Sequence, residues 1–173
     1  MAEPAPDDVA AEDAAARRAL SLMADAGLVN RLVFAAQSAS ISTAELPAAF
    51  TSREICVARE EAAYVCGLAD AMFVMQGLGS CASALAGSAA IKTRWLGDIG
   101  CGRAIAAFAL TEPEAGSDVA ALAATARREG SDYILDGVKT FISNAGLADV
   151  YTLFARTGSH GSGREGISAF VVD

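Results

Sequence analysis

The feature that most constrains this chain is a change of texture near Gly102. Up to about residue 100 the apolar residues recur with helical spacing, and after Gly102 they fall into short runs separated by turn residues. In the first part, Glu12 to Ala26 is rich in alanine and leucine, with Gly27 placed as a C-terminal cap. Ser42 with Glu45, and Thr51 with Glu54, have capping-box spacing, in which a hydroxyl and a carboxylate satisfy the N–H groups of a helix start. The second box opens a helix expected from Ser52 to about Gln76. Ser88 caps another, expected to run through Lys92 to Leu96 and stop at Gly97. In the second part, Ala104 to Leu110, Ala121 to Arg128, Tyr133 to Leu135, Val138 to Ser143, Val150 to Arg156 and Ile167 to Val172 read as strands. Asp136-Gly137 between two apolar runs reads as a hairpin turn. A helical block followed by an antiparallel sheet is an α+β arrangement. It divides into an acidic, disordered tail over residues 1–10, a helical domain over 11–103 and a β domain over 104–173.

Within the β part, the segment from Phe108 to Asp118 is the richest in chemistry. Phe108 to Leu110 reads as the end of an apolar strand, and Pro113 forbids its continuation as a central one. Thr111, Gly116 and Ser117 follow, offering two hydroxyls and a glycine that lets the backbone approach a ligand closely. Exposed N–H groups beside such a glycine can form a concavity that binds phosphate oxygens. A second segment, Asp136 to Asp149, holds Phe141, Ile142 and Ser143.

Composition narrows the function classes. Twenty-one acidic against 13 basic side chains give a formal charge of −8, and no basic run interrupts this balance, which argues against a nucleic-acid surface. The opening residues lack the positive region of a secretory signal and the arginines of a transit peptide, so the expected compartment is the cytoplasm. Cys56, Cys66, Cys81 and Cys101 form no Cys-x-x-Cys pair, and His160 is the only histidine; no metal site is expected. Residues 71–91 carry no charge, long enough to span a bilayer. Their glycines, serines and Gln76 fit closely packed buried helices better, so two helices broken near Gly77–Gly79 are expected rather than a membrane span.

Together the string Thr111-Glu-Pro-Glu-Ala-Gly-Ser-Asp118 and the segment Asp136 to Asp149 resemble the acyl-CoA dehydrogenase family. The resemblance extends through Tyr151 to Arg156 and Gly166 to Asp173, and weakly back through Leu85 to Ser88 and Lys92 to Leu96. It implies an N-terminal all-α domain followed by an incomplete antiparallel β domain of that family's type, with the C-terminal helical bundle beyond Asp173. It also implies FAD as cofactor, an acyl-CoA thioester as substrate, and an electron-transfer flavoprotein or similar acceptor as partner. A complementing C-terminal polypeptide and a homo-oligomer when complete are further implications.

Residue by residue, the resemblance assigns Phe108 to Ser117 to flavin binding. Leu110 and Thr111 would touch the isoalloxazine, and Gly116 and Ser117 would lie at the phosphate end, Ser117 also close to the acyl-CoA. Phe141, Ile142 and Ser143 match the second flavin segment, with Phe141 where tryptophan is commoner and Glu114 where glycine is common. The family's catalytic glutamate comes from the C-terminal bundle, so no catalytic residue is assigned here, and Glu112 is expected to serve the loop's framework. The isolated chain is then expected to bind FAD weakly and not to turn over. Two other readings are a non-catalytic remnant or interaction module, and a related flavoenzyme such as an acyl-CoA oxidase.

Overall fold

The structure is a computed structural model and describes residues 6–38, 51–158 and 163–173. The capping box at Ser42 and the histidine at 160 lie outside the described residues. Helix α1 (Pro6–Asp25) begins inside the segment expected as a tail, with proline as its first residue, where a missing N–H costs nothing. It ends at Gly27, whose φ of 75° is the left-handed cap conformation, and α2 (Leu28–Ser38) follows at once.

Helix α3 (Ser52–Val65) opens on the expected box. The Glu54 N–H donates to Thr51 Oγ1 and the Thr51 N–H donates to the Glu54 carboxylate. The chain then breaks at Cys66, which is extended at φ −160°, and α4 (Gly67–Ala86) runs straight through Gly77 and Gly79. This corrects the expected helix to Gln76 and the expected break at the glycines. Those glycines are contact points. A Cβ on Gly77 would stand 2.8 Å from Leu32, and one on Gly79 would stand 2.7 Å from the Ala106 Cβ. Small residues here let α2 and the sheet approach α4, so they serve packing and leave the helix intact.

The Ser88 hydroxyl accepts from the Ile91 N–H, capping α5 (Ala89–Ile91). A π-helical turn (Lys92–Leu96) and α6 (Gly97–Gly100) carry the helix past the expected stop at Gly97.

The strands are β1 (Ala106–Ala109), β2 (Thr125–Glu129), β3 (Asp132–Asp136), β4 (Val150–Arg156) and β5 (Ile167–Val172). They form one sheet in which β4 is the hub, flanked by β1 and β5 and touching β2 at Thr125↔Arg156. The β4–β5 and β2–β3 pairs are antiparallel, but β1 runs parallel to β4 in the register Ala106↔Val150 to Ala109↔Leu153. The sheet is therefore only partly antiparallel. The long excursion from Leu110 to Asp149 supplies the crossover that a parallel pair requires. Val138 to Ser143 is not a strand: Phe141 has φ 54° and Asn144 has φ 66°, so this stretch folds into a loop. Gly137, at φ 149°, packs a would-be Cβ position 2.5 Å from Ala124 Cβ instead of turning a hairpin.

Helix α4 is the central packing element, burying Met72, Phe73, Met75 and Ala84. Among the described residues it is the one helix long and apolar enough to cross a membrane by length and composition. One core cluster joins Leu20, Val29, Phe73 and Leu96 from the helices with Ile105, just before β1, and with Ala106 and Val150 from the sheet. A smaller cluster, Leu122, Ala124, Ala126 and Ala155, lies among the β segments.

Candidate functional site

Beyond β1 the chain makes a tight reversal. Glu112 and Ala115 bridge each other through both main-chain hydrogen bonds, at 2.9 and 3.2 Å, and leave Pro113 and Glu114 exposed at the tip. The Glu112 side chain turns inward and is only 6% exposed. One carboxylate oxygen accepts from the Ala123 N–H at 2.6 Å; the other accepts from the Ala124 N–H at 2.9 Å and from Lys139 Nζ at 2.8 Å. Burial alone pushes this carboxyl up. The Lys139 ammonium and the two N–H groups outweigh it and hold the group below its ordinary value.

Lys139 also donates to the Leu110 carbonyl at 3.0 Å, and the Thr140 N–H donates to the Thr111 carbonyl at 3.0 Å. The two segments singled out in the sequence are thus joined by a buried ion pair and a main-chain bond. Glu112 accepts from three donors and is held below its ordinary pKa, which fits a framework role and makes it a weak base for proton abstraction. A groove of about 340 Å³ runs between Glu112–Glu114 and Asp136–Val138.

Around this clamp the expected residues are placed as follows. Leu110 and Thr111 are half-buried at the exit of β1, directly against Lys139 and Thr140. Gly116 and Ser117 are exposed, and a Cβ on Gly116 would meet nothing within 4 Å. Asp118 accepts from the Ala120 N–H and caps a short turn. Phe141 is 90% exposed although its backbone is left-handed, a conformation costly for a bulky residue; Ile142 is half-buried and Ser143 exposed. Phe108 stands apart from this loop. Its ring packs on Phe154 at 5.0 Å between centroids, on the strand face it shares with Thr152.

Sequence reasoning missed Lys139 and Arg156. Lys139 sits in a stretch that reads as a strand, and nothing in its spacing announces a partner 27 residues away. The buried Arg156 guanidinium donates to the carbonyls of Ala120, Leu122 and Gly163 at 2.9–3.1 Å, fastening the segment after Asp118. The signal for it was an arginine closing an otherwise apolar strand.

A helical layer on a mixed sheet, with two loops clamped to each other and an exposed aromatic on one of them, defines an α+β protein. Residues 107–173 match the family model described as acyl-CoA dehydrogenase, middle domain. The cyclohexane-1-carbonyl-CoA dehydrogenase of Geobacter metallireducens is 36% identical over 154 residues, which is 89% of this chain and 38% of that protein. The crystal structure of an acyl-CoA dehydrogenase complexed with FAD from Bacillus anthracis superposes with a TM-score of 0.71 at 26% identity, covering 91% of this chain and 26% of that one. A glutaryl-CoA dehydrogenase from Mycobacterium smegmatis in complex with FADH2 gives 0.63 at 27% identity, covering 92% of this chain and 45% of that one. These matches support an acyl-CoA dehydrogenase family fragment, and the chain spans less than half the length of each of these relatives.

Proposed function

We propose that this chain carries the flavin-contacting part of an acyl-CoA dehydrogenase, with FAD as cofactor and an acyl-CoA thioester as substrate. The observation that carries the reading is Phe141, an apolar ring held almost wholly in solvent by a left-handed backbone, on a loop tied to Thr111. Such strain persists only where the surroundings over-determine it, and a ring with no packing role is suited to cover a planar ligand. The residues present fit FAD. Leu110 and Thr111 offer an apolar wall and a hydroxyl at the strand exit, Gly116 and Ser117 an open backbone and hydroxyl for phosphate oxygens, and Phe141, Ile142 and Ser143 a ring, an apolar flank and a second hydroxyl.

When bound, FAD supplies the capacity to accept hydride from the substrate's β carbon. This chain's own part is to bind and orient. Ser117 is assigned to the acyl-CoA as well as to the cofactor. The carboxylate that takes the α proton is assigned to the portion of the family's length that this chain does not match, since Glu112 is committed to the clamp. An electron-transfer flavoprotein or similar acceptor, a complementing polypeptide and a homo-oligomer belong to the same proposal.

The test is a flavin titration of the purified chain, alone and mixed with a polypeptide spanning the rest of the family's length. Bound-flavin absorbance in the mixture, bleached by an acyl-CoA, is expected. No retained flavin in either condition overturns the reading. The Phe141→Gly variant relieves about 1–2 kcal/mol of left-handed strain, so it is expected to be at least as stable as the parent while holding flavin several-fold more weakly.

A further inference from the structure

The Phe141 loop has a second anchor, on the side opposite the Glu112–Lys139 clamp. In the parallel register Ala106↔Val150, the Val150 N–H bonds the Ile105 carbonyl, so both polar groups of Ala106 face away from β4. Two side chains take them. Gln76 Oε1, fully buried on α4, accepts the Ala106 N–H at 3.1 Å, and Asn144 Nδ2 donates to the Ala106 carbonyl at 3.0 Å. Asn144 is also the hub of its own turn. Its carbonyl accepts from the Leu147 and Ala148 N–H groups at 3.0 and 2.8 Å, and its φ of 66° suits asparagine better than most residues.

The stretch 140–144 is therefore strapped along β1, from Thr111 at the N-terminal end of the loop to Ala106 at its C-terminal end, with Phe141 suspended between. We infer that Asn144, backed by Gln76 across the Ala106 peptide groups, is a positioning residue that sets the pose of the Phe141 ring and so links helix α4 to the flavin loop. This rests on the flavin reading above for its functional consequence. Its structural content stands on the hydrogen bonds alone. It also accounts for a buried amide on the core-facing side of α4: an aliphatic residue at Gln76 would leave the buried Ala106 N–H without an acceptor.

The test uses the full chain and two variants. Asn144→Gly keeps the left-handed backbone and deletes the donor. Asn144→Asp keeps the shape and sets a carboxylate oxygen against the Ala106 carbonyl. Hydrogen exchange without flavin is expected to quicken about tenfold at Ala145, Leu147 and Ala148 in both variants, with β4 and β5 amides unchanged. At an unchanged melting temperature, FAD is expected to bind about tenfold more weakly, Asp more so than Gly. Unchanged exchange, or faster exchange with undiminished FAD affinity, overturns the inference. If the parent chain binds no FAD, either alone or mixed with a polypeptide spanning the rest of the family's length, the flavin reading falls, while faster exchange confined to the loop still upholds Asn144 as its anchor.

Discussion

Among individual residues, the Glu112–Lys139 pair decides the geometry of the site, and its energetics are asymmetric. Both side chains are nearly buried, at 6% and 10% exposure, and Glu112 accepts from donors of two other segments, the adjacent Ala123 and Ala124 N–H groups and the Lys139 ammonium. Removing one partner strands the other, so Lys139→Met is expected to destabilise the chain by about 3–5 kcal/mol, read from denaturant unfolding. The acid response follows from the same contacts. Because the folded-state pKa of Glu112 lies below its ordinary 4.5, its contribution is present above that value and is lost as pH falls through the folded pKa. Glu112→Gln removes this linkage. Its melting temperature should therefore fall less than the parent's between pH 6 and pH 3, and equal slopes for the two proteins would refute the assignment. Glu54 and Asp70 also titrate low, through Thr51 and Arg59 respectively, but on exposed partners that are unaltered in the variant. The sequence made the Glu112 framework role legible through the string it sits in. It could not show Lys139, because a buried ion pair between loops is a property of the tertiary arrangement and leaves no local pattern.

Secondary-structure elements that satisfy themselves locally were legible, and those that answer to a neighbour were not. The bounds of β4 and β5 follow from apolar runs separated by turn residues, and the Thr51 box is a local hydrogen-bond motif. Val138 to Ser143 also reads as a strand, yet it is a loop because Lys139 is drawn to Glu112 and Asn144 to Ala106. Gly77 and Gly79 read as helix breakers although they are where α2 and β1 press on α4. That distinction yields a paired prediction. Alanine in place of an exposed helical glycine gains about 0.5–1 kcal/mol. At Gly97, exposed with nothing within 4 Å of the added Cβ, that gain is expected to appear in full. At Gly79 the same change drives a methyl to 2.7 Å from the Ala106 Cβ and 3.1 Å from its backbone. The overpacking cost of about 1–3 kcal/mol should cancel or exceed the propensity gain. Unfolding free energies of Gly79→Ala and Gly97→Ala in parallel settle the matter, and a stabilised Gly79→Ala would mean that α4 does not rest on β1 as described.

For the chain as a whole, the sequence places a boundary near residue 103, where the texture changes, and the packing runs across it. The largest core cluster takes side chains from both sides, with Leu20 and Phe73 meeting Ile105, Ala106 and Val150. Helix α4 reaches the sheet through Gly79, whose carbonyl accepts the Thr152 hydroxyl at 2.6 Å, and through Gln76 on Ala106. Arg17 of α1 donates to Asp149, which itself accepts the Ile105 N–H just before β1. A hydrophobic core shared in this way, with buried polar bonds crossing the seam, leaves neither layer a complete interior of its own. The helical layer and β1–β4 are thus expected to unfold as one cooperative unit. Native-state hydrogen exchange in sub-denaturing urea reads this directly: the slowest amides of α4 and of β4 should share one opening free energy and one urea dependence. Separate values, with β4 opening first, would mean that the texture boundary is also a thermodynamic one. In that case the Thr111 and Phe141 loops would be carried by a layer able to open independently, and the anchoring of Phe141 through Ala106 and Gln76 would be the contact that fails first.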